Sequence, residues 1–121
     1  MKYAILINGN EQEWDEVTPE QSDAQMKEVF AWFEKWSRAG KIANGGVHLQ
    51  PTSTAKTVRP GPHGDVVVTD GPYLELKEVI GGMCVLECDD IDEAAAVAGT
   101  WPGLTGSSSI EVRPVYDHSG S

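Results

Sequence analysis

Apolar and polar residues alternate along the chain in blocks that predict a mixture of strands and helices. Residues 3–7 are apolar at almost every position, which is typical of a strand in the middle of a sheet. Residues 8–17 are polar and acidic, and they predict a loop. Trp14 is unusual in such a loop, because a ring of its size normally packs against other residues. We therefore expect Trp14 to dock on a neighbouring part of the fold.

The next block predicts a helix that begins at Thr18 and ends near residue 39. Thr18 is a suitable N-cap, Pro19 suits the first helical position, and Gln21 completes a capping box. Gly40 is placed to end the helix. The apolar arc covers about half of the circumference, more than the roughly 100° that one sheet face requires, and consists of Met26, Val29, Phe30, Trp32, Phe33, Trp36 and Ala39. We expect the part of this arc that does not face the sheet to contact either a second subunit or the neighbouring loops.

The remaining blocks predict five more strands and a shorter helix. Residues 41–49 predict a strand containing a flexible Gly-Gly pair, and residues 54–69 predict a hairpin. Residues 74–80 fit either a short helix or an extended loop, and residues 83–88 predict a strand. Asp90 is the cap of a second helix that ends at Gly99, with a buried stripe of Ile91, Ala94, Val97 and Ala98. Residues 110–115 predict a last, partly exposed strand, in which Pro114 suits either a sheet edge or a strand end.

The element order β-α-β-(β-β)-β-α-β predicts the fold class. It is the order of an α+β, ferredoxin-like split β-α-β fold with an inserted β-hairpin. We expect one domain over residues 1–116 and a flexible C-terminal tail over residues 117–121. Two helices on one side leave the other face of the sheet bare, and a bare apolar face is usually covered by a partner. We therefore predict a homodimer in which two sheets form a dimeric α+β barrel.

Charge excludes several classes of partner. The chain of 121 residues has 19 acidic and 9 basic residues, a formal net charge of -10. A nucleic-acid-binding protein needs cations against phosphates, so we expect no direct nucleic-acid binding. The same charge disfavours an anionic membrane surface, and no apolar run approaches the roughly 20 residues of a membrane helix. We expect a cytoplasmic protein.

The cysteines and histidines predict neither a disulfide nor a metal site. Cys84 and Cys88 lie in one predicted strand, where four residues span roughly 13 Å, and a disulfide needs Cα atoms within about 7 Å. The histidines, at positions 48, 63 and 118, have no spacing that matches a metal site. Nucleotide-binding and serine-hydrolase motifs are missing as well. We expect no metal and no cofactor.

Residues 69–78, Thr-Asp-Gly-Pro-Tyr-Leu-Glu-Leu-Lys-Glu, are followed by Gly81-Gly82. This segment resembles the signature of the YCII-related family, DGPF branch, with Tyr73 where phenylalanine is usual. The likeness runs from residue 1 to about residue 115. It implies the dimeric α+β barrel and a superfamily that contains muconolactone isomerase-like enzymes. It also implies an association with extracytoplasmic-function sigma factors in bacteria.

The signature supplies the candidate site residues. Asp-Gly-Pro is turn chemistry, so these residues have a structural interpretation beside a functional one. In the functional interpretation, a rim of charged and aromatic side chains binds a ligand at the barrel mouth; its members are Asp70, Gly71, Pro72, Tyr73, Glu75, Lys77 and Glu78. The His–Asp dyad of the wider family is not carried over, because residues 19–40 contain no histidine. A different catalytic pair, His48 and Asp70, is the alternative.

These inferences lead to two hypotheses of function. In the first, a homodimer binds a small organic molecule in its barrel cavity, with or without acid/base chemistry of an isomerase or lyase type. Whether the protein is an enzyme stays open. In the alternative, the chain is a non-enzymatic interaction or regulatory protein associated with an extracytoplasmic-function sigma factor, and its acidic surface meets a basic partner.

Overall fold

The computed structural model describes residues 1–72 and 78–118. In chain order the elements are β1 (Lys2–Asn10), α1 (Glu11–Asp15), α2 (Pro19–Arg38), β2 (Ile42–His48), a 3-10 turn (Thr52–Thr54), β3 (Lys56–Pro60), β4 (Val66–Asp70), β5 (Glu78–Glu87), α3 (Ile91–Ala98) and β6 (Ser109–Pro114). No helix in these two ranges is long and apolar enough to cross a membrane.

Within the described ranges, four strands form one sheet in the order β2-β5-β1-β6, and every neighbouring pair is antiparallel. This α+β arrangement is compatible with a ferredoxin-like fold. β1 lies between β5 and β6, so the prediction of a central strand is confirmed. β6 is an edge strand that ends at Pro114, so both of the positions that the sequence allows for this proline are realised. β3 and β4 pair with each other and form a separate two-stranded sheet.

One face of the sheet carries both long helices. Tyr3 and Ile5 of β1 pair with Leu86 and Cys84 of β5, and all four side chains are buried. The core is completed by Trp32 from α2, by Cys88, and by Ala94, Val97 and Ala98 from α3. On the opposite face Ala4 and Leu6 are only half-buried. In the single chain, β1 is therefore covered on one face only.

Local hydrogen bonds fix the ends of the helices as the sequence predicts. The Thr18 hydroxyl accepts from the Gln21 N–H at 3.2 Å, and the Gln21 side chain accepts from the Thr18 N–H at 3.0 Å. Gly40 follows α2 with a φ of 74°, a left-handed conformation that glycine adopts without strain. The Asp90 carboxylate accepts from the Glu93 N–H at 2.8 Å and caps α3.

An aromatic cluster joins α2 to the loop after α3. The Trp32, Phe33 and Trp101 rings meet edge to face, with centroids 5.0–5.9 Å apart. The indole N–H groups of Trp32 and Trp36 both donate to the Thr100 hydroxyl oxygen, at 2.8 and 3.2 Å. That hydroxyl in turn donates to the Val97 carbonyl at 2.6 Å. We call this set of residues the aromatic joint.

Some expectations from the sequence are wrong. Residues 8–17 are not a loop, since β1 extends to Asn10 and α1 follows it. The last strand before α3 begins at Glu78 and not at residue 83, so residues 78–80 are extended. Ile91 is 44% exposed and does not belong to the buried stripe of α3.

The cysteines are free, in agreement with the prediction. Cys84 and Cys88 are buried and form no disulfide. Burial raises the pKa of the Cys84 thiol to about 11, which leaves little of the reactive thiolate at neutral pH. Cys84 is therefore an apolar member of the core.

We predict that Thr100→Val lowers the free energy of unfolding by about 1–3 kcal/mol, because the nearly buried Trp32 indole loses its acceptor while the side-chain shape is kept. Urea unfolding measures this change. Thr69→Val, on the exposed strand β4, is the matched control and should stay within about 0.5 kcal/mol. Equal effects of the two substitutions would contradict the role given to the aromatic joint.

Candidate ligand-binding groove

An apolar groove lies between α2 and the sheet, on the side where α1 begins. We call it the α2 groove; its volume is about 680 Å³. Its apolar wall includes Ile7, Trp14, Met26, Val29, Phe30 and Phe33. The ends of β2 and β5 close it on the sheet side. It is thus a concavity of the size that small molecules occupy, roughly 300–1,000 Å³.

The groove exists because α2 packs on the sheet only in its second half. Trp32 is the one buried residue of this helix. One turn earlier, Val29 is half-buried, and Phe30 is 66% exposed. The excess apolar arc predicted from the sequence therefore lines an open space, and neither core packing nor loops cover Phe30.

Trp14 forms one wall of the groove and packs over two glycines of the sheet. A Cβ atom at Gly81 would lie 2.7 Å from the Trp14 ring, and a Cβ at Gly9 would also overlap it. Gly9 belongs to β1 and Gly81 to β5. These two glycines of neighbouring strands form a flat surface without side chains, which we call the glycine seat, and the Trp14 ring packs on it. The expectation that Trp14 docks on the fold is confirmed.

Helix α1 holds Trp14 in place through hydrogen bonds on both sides. Asn10 caps α1 by accepting from the Gln12 N–H at 2.9 Å. The Glu11 carboxylate accepts from the Thr52 N–H at 2.9 Å and from the Thr52 hydroxyl at 2.6 Å. Glu13 accepts from the Ser107 hydroxyl at 3.0 Å. These contacts tie a five-residue helix to segments from two distant parts of the chain.

The polar groups of the groove lie at its edges. Glu11, Asp15, Gln25 and His48 are among the lining residues. The hydrogen bonds from Thr52 lower the pKa of the Glu11 carboxyl from its ordinary value, so Glu11 is ionised at neutral pH. His48 ends β2 opposite Gly82, and its imidazole makes no hydrogen bond to the part of the chain that the structure describes.

The Asp-Gly-Pro corner lies elsewhere, at the end of the β3–β4 hairpin. The Asp70 carboxylate accepts from the Lys56 ammonium at 2.6 Å and is 88% exposed. Gly71 has a φ of 91°, and its N–H donates to the Ala55 carbonyl at 2.7 Å. The Thr57 hydroxyl donates to the Gly71 carbonyl at 2.8 Å. These bonds give the corner a turn-forming role, and Asp70 is not part of the groove lining.

The structure brings only some of the sequence-predicted site residues together. Asp70, Gly71 and Pro72 follow one another at the hairpin end, while Glu78 lies on the main sheet opposite Asn10. Tyr73, Glu75 and Lys77 lie outside the described residues. The described hydrogen bonds join Asp70 to Lys56 and not to His48, so the catalytic pairing of His48 with Asp70 stays a prediction. In the described ranges, no three His, Cys, Asp or Glu side chains are placed to share a metal ion.

Sequence reasoning missed Glu11 and Phe30 as groove residues. The Glu11–Thr52 contact joins residues 41 positions apart, and no local pattern reveals such a pair. For Phe30 a signal was present, since the apolar arc of α2 is wider than one sheet face needs. For Trp14 the sequence also contained a signal, because a large apolar ring is unusual in an acidic segment.

Comparison with known proteins identifies the family of the chain. The YCII-related domain matches residues 1–119. The chain belongs to the YCII-related family. An uncharacterised protein of Rhizobium meliloti (strain 1021) is 33% identical over 116 residues, which is 95% of this chain and 92% of the relative. Membership in the YCII-related family, expected from the signature at residues 69–78, is thereby confirmed.

We predict that Gly81→Ala displaces the Trp14 ring, because the new methyl group would overlap it. In protein labelled with 5-fluorotryptophan, the ¹⁹F resonance of Trp14, assigned through Trp14→Phe, should shift and broaden. Gly45→Ala is the control, since a Cβ there meets nothing within 4 Å. An unchanged Trp14 resonance in Gly81→Ala would show that the ring does not sit on this seat.

Proposed function

We propose that this YCII-related protein is a homodimer that binds a small organic molecule, and that the α2 groove is the binding site. The observation that carries the proposal is the groove itself, about 680 Å³ of mostly apolar space with polar groups at its edges. Binding sites for small molecules have this composition, because apolar walls supply affinity and a few polar groups fix orientation. The predicted barrel cavity between the two sheets of the dimer belongs to the same proposal as a second space for a ligand.

The exposure of Phe30 supports a ligand in the groove. A phenyl ring that is 66% exposed on a wall of a concave site gains stability when another apolar group covers it. Full burial of such a side chain is worth about 1.5–3 kcal/mol. Met26, one turn before Phe30, and the adjacent Val29 lie on the same wall and extend the surface that a ligand would cover.

Acid/base chemistry is the reaction class that we propose if the bound molecule is also converted. His48 lines the groove, and imidazole is the side chain that most readily exchanges a proton near neutral pH. In this proposal His48 is the acid/base group. Asp70 contributes only if a second copy brings its hairpin corner near the site, since within one chain Asp70 is held by Lys56.

The exposed face of the hairpin supports the dimer. Val58 pairs with Val68, and Val66 lies on the same face opposite Pro60. These valines are 63%, 54% and 66% exposed. A two-stranded hairpin is marginally stable on its own, so packing against a second copy would stabilise it. The apolar centre of the open sheet face, formed by Ala4, Leu6, Met83 and Val85, is the second surface that a face-to-face dimer would bury.

The binding prediction uses Nile red, a neutral dye that fluoresces in apolar sites. The wild-type protein should bind it, and Phe30→Gln should weaken binding about tenfold, which corresponds to about 1.4 kcal/mol. The melting temperature should stay nearly unchanged because Phe30 is already exposed. Tyr116→Gln removes an 85% exposed ring outside the groove and should have no effect on dye binding. Equal binding by all three proteins would refute the groove as the site and favour the alternative, an interaction protein with a basic partner.

The dimer prediction is a mass of twice the 13.1 kDa of the chain in size-exclusion chromatography with light scattering. Val68→Asp should yield the single-chain mass, because a charge would enter the apolar face of the hairpin. Thr69→Asp introduces the same charge on the opposite hairpin face and should leave the dimer intact. A wild-type protein that elutes as a monomer at all concentrations would remove the dimer from the proposal.

A further inference from the structure

We propose that the α2 groove selects small organic amines, molecules with a positively charged head and a flat apolar body. The inference rests on the proposed function and adds the chemical class of the ligand. Three observations point to it: the charges of the lining, the fixed position of one carboxylate, and the aromatic rings of the wall.

The charged groups of the lining favour a cation. Glu11 and Asp15 are carboxylates of the lining, and no lysine or arginine is among the lining residues in the described ranges. The whole chain adds a net charge of -10. A carboxylate ligand would be repelled by the carboxylates of the lining and by the net negative charge of the chain. An ammonium ligand would be attracted by both.

Glu11 is held in a position to receive an ammonium group. Each of its two carboxylate oxygens accepts one hydrogen bond from Thr52. An ionised carboxylate offers about four lone-pair sites, so acceptor capacity is left for a ligand. Because the Thr52 bonds already fix the side chain, little further rotamer entropy is lost when an ammonium group binds.

The aromatic wall suits the body of such a ligand and adds to its charge preference. Trp14, Phe30, Phe33 and Trp101 all line the groove. A cation within about 6 Å of an aromatic face is attracted by the ring electrons, most strongly by tryptophan. Trp14 lies on its glycine seat in the same helix α1 as Glu11. A flat amine with its head toward Glu11 therefore finds a ring three residues further along the same short helix.

The volume of the α2 groove favours a small amine over a basic peptide as the ligand. About 680 Å³ lies within the range of small-molecule sites. Peptides instead use extended grooves or free strand edges and bind through many main-chain contacts. The occupant we infer is therefore a free amine of about the size of an indole or naphthalene derivative.

The test compares three indoles that differ mainly in charge: tryptamine, the neutral indole-3-ethanol and the anionic indole-3-propanoate. Affinities are measured by isothermal titration calorimetry with the full-length chain at neutral pH. Tryptamine should bind at least about tenfold more tightly than indole-3-propanoate, a difference of about 1.4 kcal/mol. Indole-3-ethanol should lie between them, and added salt should reduce the difference.

Substitutions test which carboxylates of the groove produce the preference for a cationic ligand. Asp15→Asn and Glu11→Gln should each reduce the preference for tryptamine, and the double variant should bring the three affinities close together. Asp15 is exposed, so its substitution tests the charge without risk to the Glu11–Thr52 contact. Glu28→Gln removes the same charge from the outside of α2, away from the lining, and should leave the preference intact.

The outcomes separate this inference from the proposed function. Equal affinities for the three indoles, or tighter binding of the propanoate, would overturn the amine inference and leave the groove as a binding site. No binding of any indole, together with no binding of Nile red, would overturn both. A lysine-rich peptide that displaces tryptamine at lower concentration would assign the site to a basic protein partner and overturn the small-amine inference.

Discussion

The aromatic joint decides the shape of the molecule. α2 has 20 residues and is therefore about 30 Å long, yet it is anchored through Trp32 and Phe33 in its second half. Thr100 accepts from two indoles and donates to the Val97 carbonyl, so the joint also fixes the distance between α2 and α3. Because α2 is anchored near one end, a gap remains between its other end and the sheet. This gap is the α2 groove, and α1 closes it on one side.

Helix ends and strand positions were predictable because they depend on residues close together in sequence. The capping box of Thr18 and Gln21 spans four residues, and the cap of Asp90 on Glu93 has the same span. The apolar run of residues 3–7 gave β1 its central place. In each case the sequence contains both partners of the interaction within one turn or one strand, so pattern and structure agree.

The groove was not predictable because its partners are far apart in sequence. Helical periodicity places Phe30 and Trp32 on a common apolar arc, but it does not say how far from the sheet each turn of the helix will lie. Contacts with distant residues, among them Thr100 and Trp101, hold Trp32 in the core, while Phe30 stays 66% exposed. In the same way, the contact between Glu11 and Thr52 holds α1 against a distant turn. Polarity alone predicted a loop there.

The Asp-Gly-Pro corner, which belongs to the family signature, lies outside the lining of the α2 groove. At Gly71, a φ of 91° is a conformation for which side chains other than glycine are strained. The Gly71 N–H and carbonyl are both bonded to the start of β3, and Asp70 pairs with Lys56 across the hairpin. The positive φ and the hydrogen bonds of Gly71 explain why glycine occurs at position 71, and the ion pair with Lys56 gives Asp70 a structural role. Glu11, Trp14 and His48 line the α2 groove, in a different part of the molecule. In the proposed homodimer, the bonds of the corner hold together the hairpin through which two copies would meet.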